Sequence, residues 1–349
     1  MSQPITLSID GMGGDQAPDM VVEGLSLALR EIPTLQFLLF GRSEKLVPLL
    51  EKFPKVAEAC ELRHTDDVVS NDEKPGIALR SGRQSSMRLA INAVGNGEAD
   101  GIVSAGNTGA LMAMAKFVLK TLPGIDRPAI ASLLPTMKGE CVMLDLGANI
   151  QCDAENLVQF AVMGEVFARN VLHVKKPSVG ILNVGTEVLK GNDSVKQAAV
   201  ILTETDLSID FYGFVEGDDI GQGTVDVIVT DGFTGNVALK TIEGTARLFA
   251  GALKQELTKS WVGKLGALIA KQGINSFRTR FDPRRYNGAM FLGLGGICVK
   301  SHGGTDALGF CTAVTLAHEL ISDKLNEGIK EDYARFSSEH HDLTDFSVD

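Results

Sequence analysis

Six short segments of this sequence place glycine next to side chains that can bind or polarise a substrate. In each of them an apolar run ends at Gly flanked by Asp, Asn, Ser, Thr or His. Glycine lets a ligand approach the backbone, and the neighbouring hydroxyl, amide and N–H groups can bind an anion. The segments are SIDGMGGD (8–15), VSAGNTG (103–109), LDLGAN (144–149), LNVGTE (182–187), VTDGFTGN (229–236) and VKSHGGTD (299–306).

Phosphate is the anion that these segments favour. Two of them, AGNTGA (105–110) and DGFTGNVA (231–238), place Thr-Gly at the start of a helical pattern. Helix N-termini offer unpaired N–H groups and the positive end of the helix dipole. Helix capping explains any single segment equally simply, but the whole set predicts a phosphate-binding site. The candidate binding residues are Gly13, Gly14, Ser104, Asn107, Thr108, Gly109, Asn149, Asn183, Asp231, Thr234 and Gly235.

Three further side chains are candidates for catalysis. Lys190 follows NVGTEVL and can neutralise phosphate or a developing oxyanion, or it is a solvated loop lysine. Asn236 can donate to a carbonyl oxygen, or it belongs to the first turn of a helix. His302 can act as a general acid if its pKa lies near neutrality, or it is a structural histidine.

The first segment also resembles a dinucleotide-binding loop, but its spacing argues against one. GxGxxG would need glycine at 11, 13 and 16, and position 16 is Gln. Asp10 and Asp15 could share a magnesium ion, although capping of the turn is the favoured interpretation. We therefore predict neither a cofactor nor a metal site.

Five dispersed cysteines without CxxC spacing indicate a reducing compartment and no disulfide framework. Cys141 and Cys152 must be considered as acyl-accepting nucleophiles. Cys141 lies within an apolar strand and Cys152 has no histidine nearby in sequence, so a covalent cysteine route is the weaker hypothesis.

Short apolar runs alternate with helical patterns along the chain. This alternation predicts an α/β fold, a Rossmann-like three-layer α/β/α arrangement with a mostly parallel sheet. We expect a single domain over 1–330 and a poorly ordered acidic tail over 331–349. Because ligands of such sheets bind at the carboxyl ends of strands, the six segments are expected to surround one cleft.

The charge distribution bears on partners and location. The net charge of −11 argues against nucleic-acid binding. The sequence has no signal-peptide pattern and no apolar run of membrane-spanning length, so a cytoplasmic location is expected.

An excursion of opposite charge occupies about 241–285. Residues 254–285 contain eight Lys or Arg and two acidic residues, net +6, which leaves −17 for the rest of the chain. Three interpretations compete: a core-facing helix with a basic outer face, a docking surface for an acidic protein, and an amphipathic helix at a membrane. The candidate contact residues are Trp261, Leu265, Leu268, Ile269, Arg278, Arg280, Arg284 and Arg285.

The motifs IDGMGGDQAP, SSM, VSAGNTGA, LDLGAN, NVGTE with KG, DGFTGN and KSHGGTDA, in this order, resemble the PlsX family of phosphate acyltransferases. The resemblance runs nearly end to end. It implies transfer of an acyl group from acyl carrier protein (ACP) to inorganic phosphate, giving acyl phosphate for phospholipid synthesis. It also implies a fold similar to phosphotransacetylases and isocitrate-type dehydrogenases.

The resemblance further implies a homodimer that associates peripherally with the membrane. There it would pass its product to a membrane acyl-phosphate:glycerol-3-phosphate acyltransferase. Two other functions stay open on the sequence: a phosphotransacetylase-like enzyme that uses acyl-coenzyme A, and a non-catalytic membrane-associated scaffold of lipid synthesis.

Overall fold

A computed structural model describes residues 4–204 and 209–340, the last three of them by their backbone alone. The expected α/β architecture is confirmed: strands alternate with helices, and the described strands form one 11-stranded sheet in the order β3-β2-β1-β4-β11-β10-β5-β6-β9-β7-β8. The strands are β1 (Thr6–Asp10), β2 (Gln36–Gly41), β3 (Cys60–His64), β4 (Gly101–Ser104), β5 (Ala129–Pro135), β6 (Glu140–Leu144), β7 (Ser178–Leu182), β8 (Asp210–Val215), β9 (Val227–Val229), β10 (Ala289–Leu292) and β11 (Ile297–Lys300).

The helices lie on both faces of this sheet. They are α1 (Asp19–Glu31), α2 (Ser43–Lys52), α3 (Pro54–Ala59), α4 (Pro75–Ser81), α5 (Ser86–Gly95), α6 (Thr108–Leu119), α7 (Ala154–Val171), α8 (Asp193–Glu204), α9 (Gly217–Gln222), α10 (Gly232–Lys259), α11 (Trp261–Ile269), α12 (Lys271–Arg280), α13 (Ala307–Ser322) and α14 (Leu325–His340), with a 3-10 turn at Pro283–Tyr286. No helix within the described ranges combines the length and apolarity needed to cross a bilayer.

Each face of the sheet has its own apolar core. On one face, side chains of β1 such as Leu7 and Ile9 pack with α1, α7 and α13. On the other face, Ile102 of β4 packs with α5 and α6, which contribute Met87 and Leu111. Burial on both sides explains why β2, with the sequence QFLLFG, is almost continuously apolar. The predicted three layers are therefore present.

The direction of the strands reverses in the middle of the sheet. The pairs from β3 to β11 on one side, and from β6 to β8 on the other, are parallel. Between them β10 runs antiparallel to β11 and to β5, and β5 runs antiparallel to β6. Consequently β1, β4 and β11 end at one edge of the sheet, the first edge, while β6, β7 and β9 end at the opposite, second edge.

The chain beyond residue 330 differs from the predicted tail. Residues 331–340 belong to α14, and Tyr333 and Phe336 are buried against the α7 side of the core. Arg169 of α7 forms an ion pair with Asp332. The weak helical periodicity concealed a helix whose large apolar residues Leu325, Ile329, Tyr333 and Phe336 all face inward. Residues 341–349 lie outside the described residues.

The basic excursion is helical and lies outside the core. It comprises α11, α12 and the outer part of α10, and no residue of α11 or α12 is buried. Trp261, Leu265, Leu268 and Ile269 are each at least half exposed. The interpretation of a core-facing helix is therefore wrong.

Replacement of Phe336 by alanine should lower the free energy of unfolding by about 3–4 kcal/mol, because a buried ring that packs on Tyr333 is lost. Denaturant unfolding of the purified variant measures this. Glu331→Ala on the exposed face of the same helix is the matched control and should change stability by less than about 0.5 kcal/mol. Equal stability of the two variants would contradict the packing of α14.

Candidate active site

The six glycine-rich segments divide between the two edges of the sheet. The segments after β1, β4 and β11 lie at the first edge, and those after β6, β7 and β9 lie at the second. The expectation that all six surround one cleft is therefore wrong for a single chain. Sequence reasoning missed the reversal because it is made by β5 and β10, which were not predicted as strands.

A buried carboxylate, Asp10, organises the first edge. Its Oδ1 accepts from Ser86 Oγ at 2.6 Å and its Oδ2 accepts from Ser104 Oγ at 2.7 Å. The backbone N–H of Met12 donates to Oδ1 at 3.3 Å. These bonds join β1, α5 and β4 at the point where the two strands end. Asp10 and Ser104 thus support the site from below rather than face solvent.

Two adjacent serines at the start of α5 have different roles. Ser85 is the N-cap, because its Oγ accepts from the N–H of Arg88 at 3.3 Å. Ser86, the next residue, turns inward to Asp10. The first turn of α5 is therefore attached to the end of β1.

Lys300 is a buried cation of the first edge that sequence reasoning did not single out. It ends β11, is 7% exposed, and donates from Nζ to the carbonyl of Ser301. Burial lowers the pKa of Lys300 to about 8, against the fields of Asp10 and Asp15. Burial likewise raises the pKa of Asp10, against hydrogen bonds and the Lys300 charge. A lysine inside the apolar run ICVK was the available signal.

The loops after β1 and β4 touch directly through glycine. A Cβ on Gly13 would lie 2.5 Å from Asp10 Oδ2 and 2.6 Å from the nitrogen of Gly106. Gly14 has φ of +111°, a conformation that residues with side chains rarely adopt. The predicted importance of these glycines thus has a steric cause.

The N-terminus of α6 opens onto the first edge. Asn107 is its cap, since Oδ1 accepts from Ala110 N at 3.0 Å. The Asn107 Nδ2 donates to the carbonyls of Asn71 and Glu73, at 2.8 and 2.9 Å. Asn107 is thus occupied structurally, while Thr108 and Gly109 are the first helical residues, whose N–H groups have no partner within the helix.

His302 is held in a defined tautomer beside this opening. Its backbone N–H donates to Asn287 Oδ1 at 2.8 Å, and its Nδ1 accepts from the N–H of Gly304 at 3.1 Å. Partial burial, with the charges of Lys300 and Lys240, lowers the pKa of His302. The lowered pKa favours the neutral ring, and the acceptor role of Nδ1 leaves the proton on Nε2, where it can donate a hydrogen bond.

Lys240 is a second cation that sequence reasoning missed. Helix α10 starts at the second edge and packs across the sheet through Ala238, Leu239 and Ile242. Lys240 lies eight residues after the helix start, about 12 Å along the axis. Its charge and that of Glu243, its ion-pair partner at 2.9 Å, both act on His302. Helix α10 thus brings a second-edge segment towards the first edge.

The second edge has its own buried carboxylate, Asp145. Its Oδ1 accepts from the N–H groups of Ile130, Gly147 and Ala148. Its Oδ2 accepts from the backbone and side-chain nitrogens of Asn149, at 2.7 and 3.0 Å. Asn149 therefore closes this turn.

Three of the predicted binding residues, Asp231, Thr234 and Gly235, form the start of α10. Asp231 caps the helix, accepting from Thr234 N at 2.9 Å and Thr234 Oγ1 at 2.8 Å. Gly235 packs directly on the Asp145 carbonyl, where a side chain has no room. Asn236 donates from Nδ2 to Leu146 O at 3.0 Å.

Lys190 and Asn183 lie together in the loop after β7. Asn183 Nδ2 donates to the carbonyls of Gly185 and Lys190, at 3.0 and 3.1 Å. Lys190 is exposed and pairs with Glu187 at 2.7 Å, and this hydrogen bond raises the pKa of Lys190. Within one chain Lys190 is at the second edge, while His302 is at the first.

Cys141 and Cys152, the two candidate nucleophiles, are poorly ionised. Burial raises the pKa of both Cys141 and Cys152 to about 12. Thiols of that pKa are almost entirely protonated at neutral pH. The structure thus gives no support to a covalent cysteine route.

Two of the four arginines predicted to contact ACP or membrane are used within the chain. Arg280 donates from Nη2 to the carbonyls of Thr136 and Met137, both at 2.8 Å. Arg284 pairs with Asp282 at 2.6 Å and Asp306 at 2.9 Å. Both attach the excursion to the body of the protein, whereas Arg278 and Arg285 lie exposed near them.

Comparisons with known proteins agree with this architecture. A phosphotransacetylase from Streptococcus pyogenes superposes with a TM-score of 0.64 at 17% identity, covering 92% of this chain and 95% of its own. The EutD phosphotransacetylase from Staphylococcus aureus superposes with a TM-score of 0.58 at 16% identity, covering 90% and 94%. These similarities concern the fold.

The sequence comparisons identify the family. Residues 5–327 match a family described as "Fatty acid synthesis protein". Proteins named phosphate acyltransferase from Paramagnetospirillum magneticum and Rhodospirillum centenum are both 59% identical, over 96% and 97% of this chain and 95% of theirs. The chain therefore belongs to the PlsX family of phosphate acyltransferases.

Proposed function

We propose that this enzyme transfers a fatty acyl group from acyl-ACP to inorganic phosphate, giving acyl phosphate and free ACP. The observation that carries the proposal is the convergence at the first edge. There the segment that bears His302 lies beside the segment that leads into α6, through the hydrogen bond from Ser301 N to Ser104 O at 2.9 Å, and the Lys240 charge acts on His302. The family membership and the names of the relatives support phosphate as the acceptor.

In the proposed mechanism, the N–H groups of Thr108 and Gly109 and the Lys240 ammonium bind phosphate. A phosphate oxygen attacks the thioester carbonyl carbon, and a C–O bond forms. His302 Nε2–H donates to the oxyanion of the tetrahedral state. Collapse of that state breaks the C–S bond and releases the ACP thiolate, which takes a proton from solvent. Because a thiolate leaves readily near neutral pH, a strong general acid is not required.

Lys190 and Asn236 lie at the second edge, so they can take part in the proposed reaction only within a homodimer. Lys190 lies at the edge opposite His302, so it reaches a first-edge site only from a second copy of the chain. Helix α10 supports such pairing, since Leu248, Phe249 and Leu253 are more than half exposed. A twofold axis along α10 would set the second edge of one subunit against the first edge of the other.

Peripheral membrane association is proposed for α11. Its apolar side chains are exposed beside Lys259, Lys264 and Lys271, the pattern of a helix that lies in an anionic interface. Such contact would place a lipophilic acyl phosphate where a membrane acyl-phosphate:glycerol-3-phosphate acyltransferase can take it. A cytoplasmic enzyme with a membrane-facing helix fits this arrangement.

Purified protein, supplied with long-chain acyl-ACP and phosphate, should form acyl phosphate with release of the ACP thiol. Quantification of hydroxamate from trapped acyl phosphate measures this. Reactions without phosphate are the control. Turnover of acyl-coenzyme A far above that of acyl-ACP would favour the phosphotransacetylase-like alternative, and no product from either donor would favour the scaffold.

Lys190→Ala and His302→Ala should each reduce turnover by about a hundredfold, the scale of losing one oxyanion donor. If the site is shared between subunits, refolding the two variants together gives hybrid dimers with one intact site. About a quarter of wild-type turnover should then return, since half the dimers are hybrids. Mixed variants that stay as inactive as each alone would contradict the shared site.

Replacement of Trp261 and Leu265 by glutamate should abolish flotation with liposomes that contain anionic phospholipid, because two apolar contacts are lost from α11. Turnover of acyl-ACP in solution should be retained. Val188→Glu and Leu189→Glu, in an exposed loop away from α11, form the matched control. Undiminished flotation of the Trp261 and Leu265 variant would refute the membrane role of this helix.

A further inference from the structure

An exposed aromatic ring on α6 is in contact with two cationic side chains. Phe117 is 55% exposed. The Arg88 guanidinium carbon of α5 lies 5.0 Å from the ring centroid, and the Lys120 ammonium at the end of α6 lies 4.9 Å from it. Cation–π contact holds both charges against a single ring at the surface.

Positive charge is concentrated around this ring. We call Arg83, Arg88, Lys116, Phe117 and Lys120 the Phe117 patch. Within residues 4–204 and 209–340, none of its four cations forms an ion pair with a carboxylate, and the charge that acts on Arg88 is that of Arg83. In a chain of net charge −11, four neighbouring cations without counter-ions leave a local positive potential.

The Phe117 patch lies on the outer side of helices that form the first edge. Ser86 contacts Asp10 from the first position of α5, and Arg88 follows two residues later. Helices α5 and α6 pack on each other, and α6 starts at the proposed phosphate position. Phe117 lies nine residues after Thr108, about 14 Å along the axis of α6, so a partner bound to this patch lies on the same face of the sheet as the site and about that distance from it.

We propose that the Phe117 patch docks the acidic acyl carrier that delivers the thioester. This inference rests on the proposed function, and it names the surface that recognises the donor. Phe117 supplies a central apolar anchor, and the surrounding cations attract the acidic surface of the carrier and orient it. Two of the four arginines that are sequence-based candidates for this role, Arg280 and Arg284, are occupied by partners within the chain.

The test compares two donors for one enzyme. Arg88→Glu with Lys120→Glu should lower kcat/KM for acyl-ACP by about tenfold or more through KM, and the salt dependence of KM should weaken. Turnover of acyl-pantetheine, which has the same thioester without the protein, should be unchanged. Lys52→Glu with Lys55→Glu, exposed lysines near the end of α2 and in α3, changes the net charge equally and should leave both donors unaffected.

Equal losses on both donors, or no loss on acyl-ACP, would overturn the docking proposal. Direct binding of labelled holo-ACP, measured by fluorescence anisotropy, keeps the test independent of catalysis. Wild-type enzyme that binds holo-ACP but makes no acyl phosphate would contradict the proposed function and leave the docking surface standing. Charge variants that lose binding to anionic vesicles while holo-ACP binding persists would show the patch to be a membrane contact instead.

Discussion

The structure depends on burying a carboxylate at the end of a central strand. Asp10 is surrounded by protein, and each unpaired oxygen there would cost the desolvation free energy of a charged group. Ser86, Ser104 and the Met12 N–H meet that requirement, and the Lys300 charge lies near. The hydrogen bonds to Asp10 join β1, β4 and α5, so the loops that bear Gly13 and Thr108 cannot move apart independently.

The second edge repeats this solution with Asp145, whose oxygens are bound by backbone N–H groups and Asn149. Two antiparallel strands, β5 and β10, separate the two carboxylates and reverse the sheet between them. A chain built this way has two sets of polar loops facing opposite directions. In the proposed homodimer, α10 and the pairing of two chains would allow both sets of loops to serve one reaction.

Much of the fold could be predicted from the sequence, because clear amphipathic or apolar runs such as α7 and β2 have one favourable environment. Strands β5 and β10 could not, since they pair with each other although they lie far apart in the sequence. Helix capping by residues such as Asn107 and Asp231 could be expected from the sequence because turn chemistry is local. Lys240 and Lys300 were not, because their importance depends on which charges the folded chain brings near them. Helix α14 was missed because only its packing reveals its inward face.

The surface side chains divide into those that form contacts within the chain and those that are left facing solvent. The arginines of the excursion that lie nearest the body of the protein form contacts within the chain. The apolar side chains of α11 and the cations around Phe117 face solvent. We propose that binding of the acceptor, recognition of the donor and contact with the membrane use separate surfaces of one α/β unit.

The central claim is that phosphate binds at the first edge. Anomalous diffraction from crystals soaked in arsenate tests this most directly. The account predicts an arsenic peak against the N–H groups of Thr108 and Gly109 and near His302. A peak confined to the Asn149 turn and the start of α10, with none at the first edge, would contradict it.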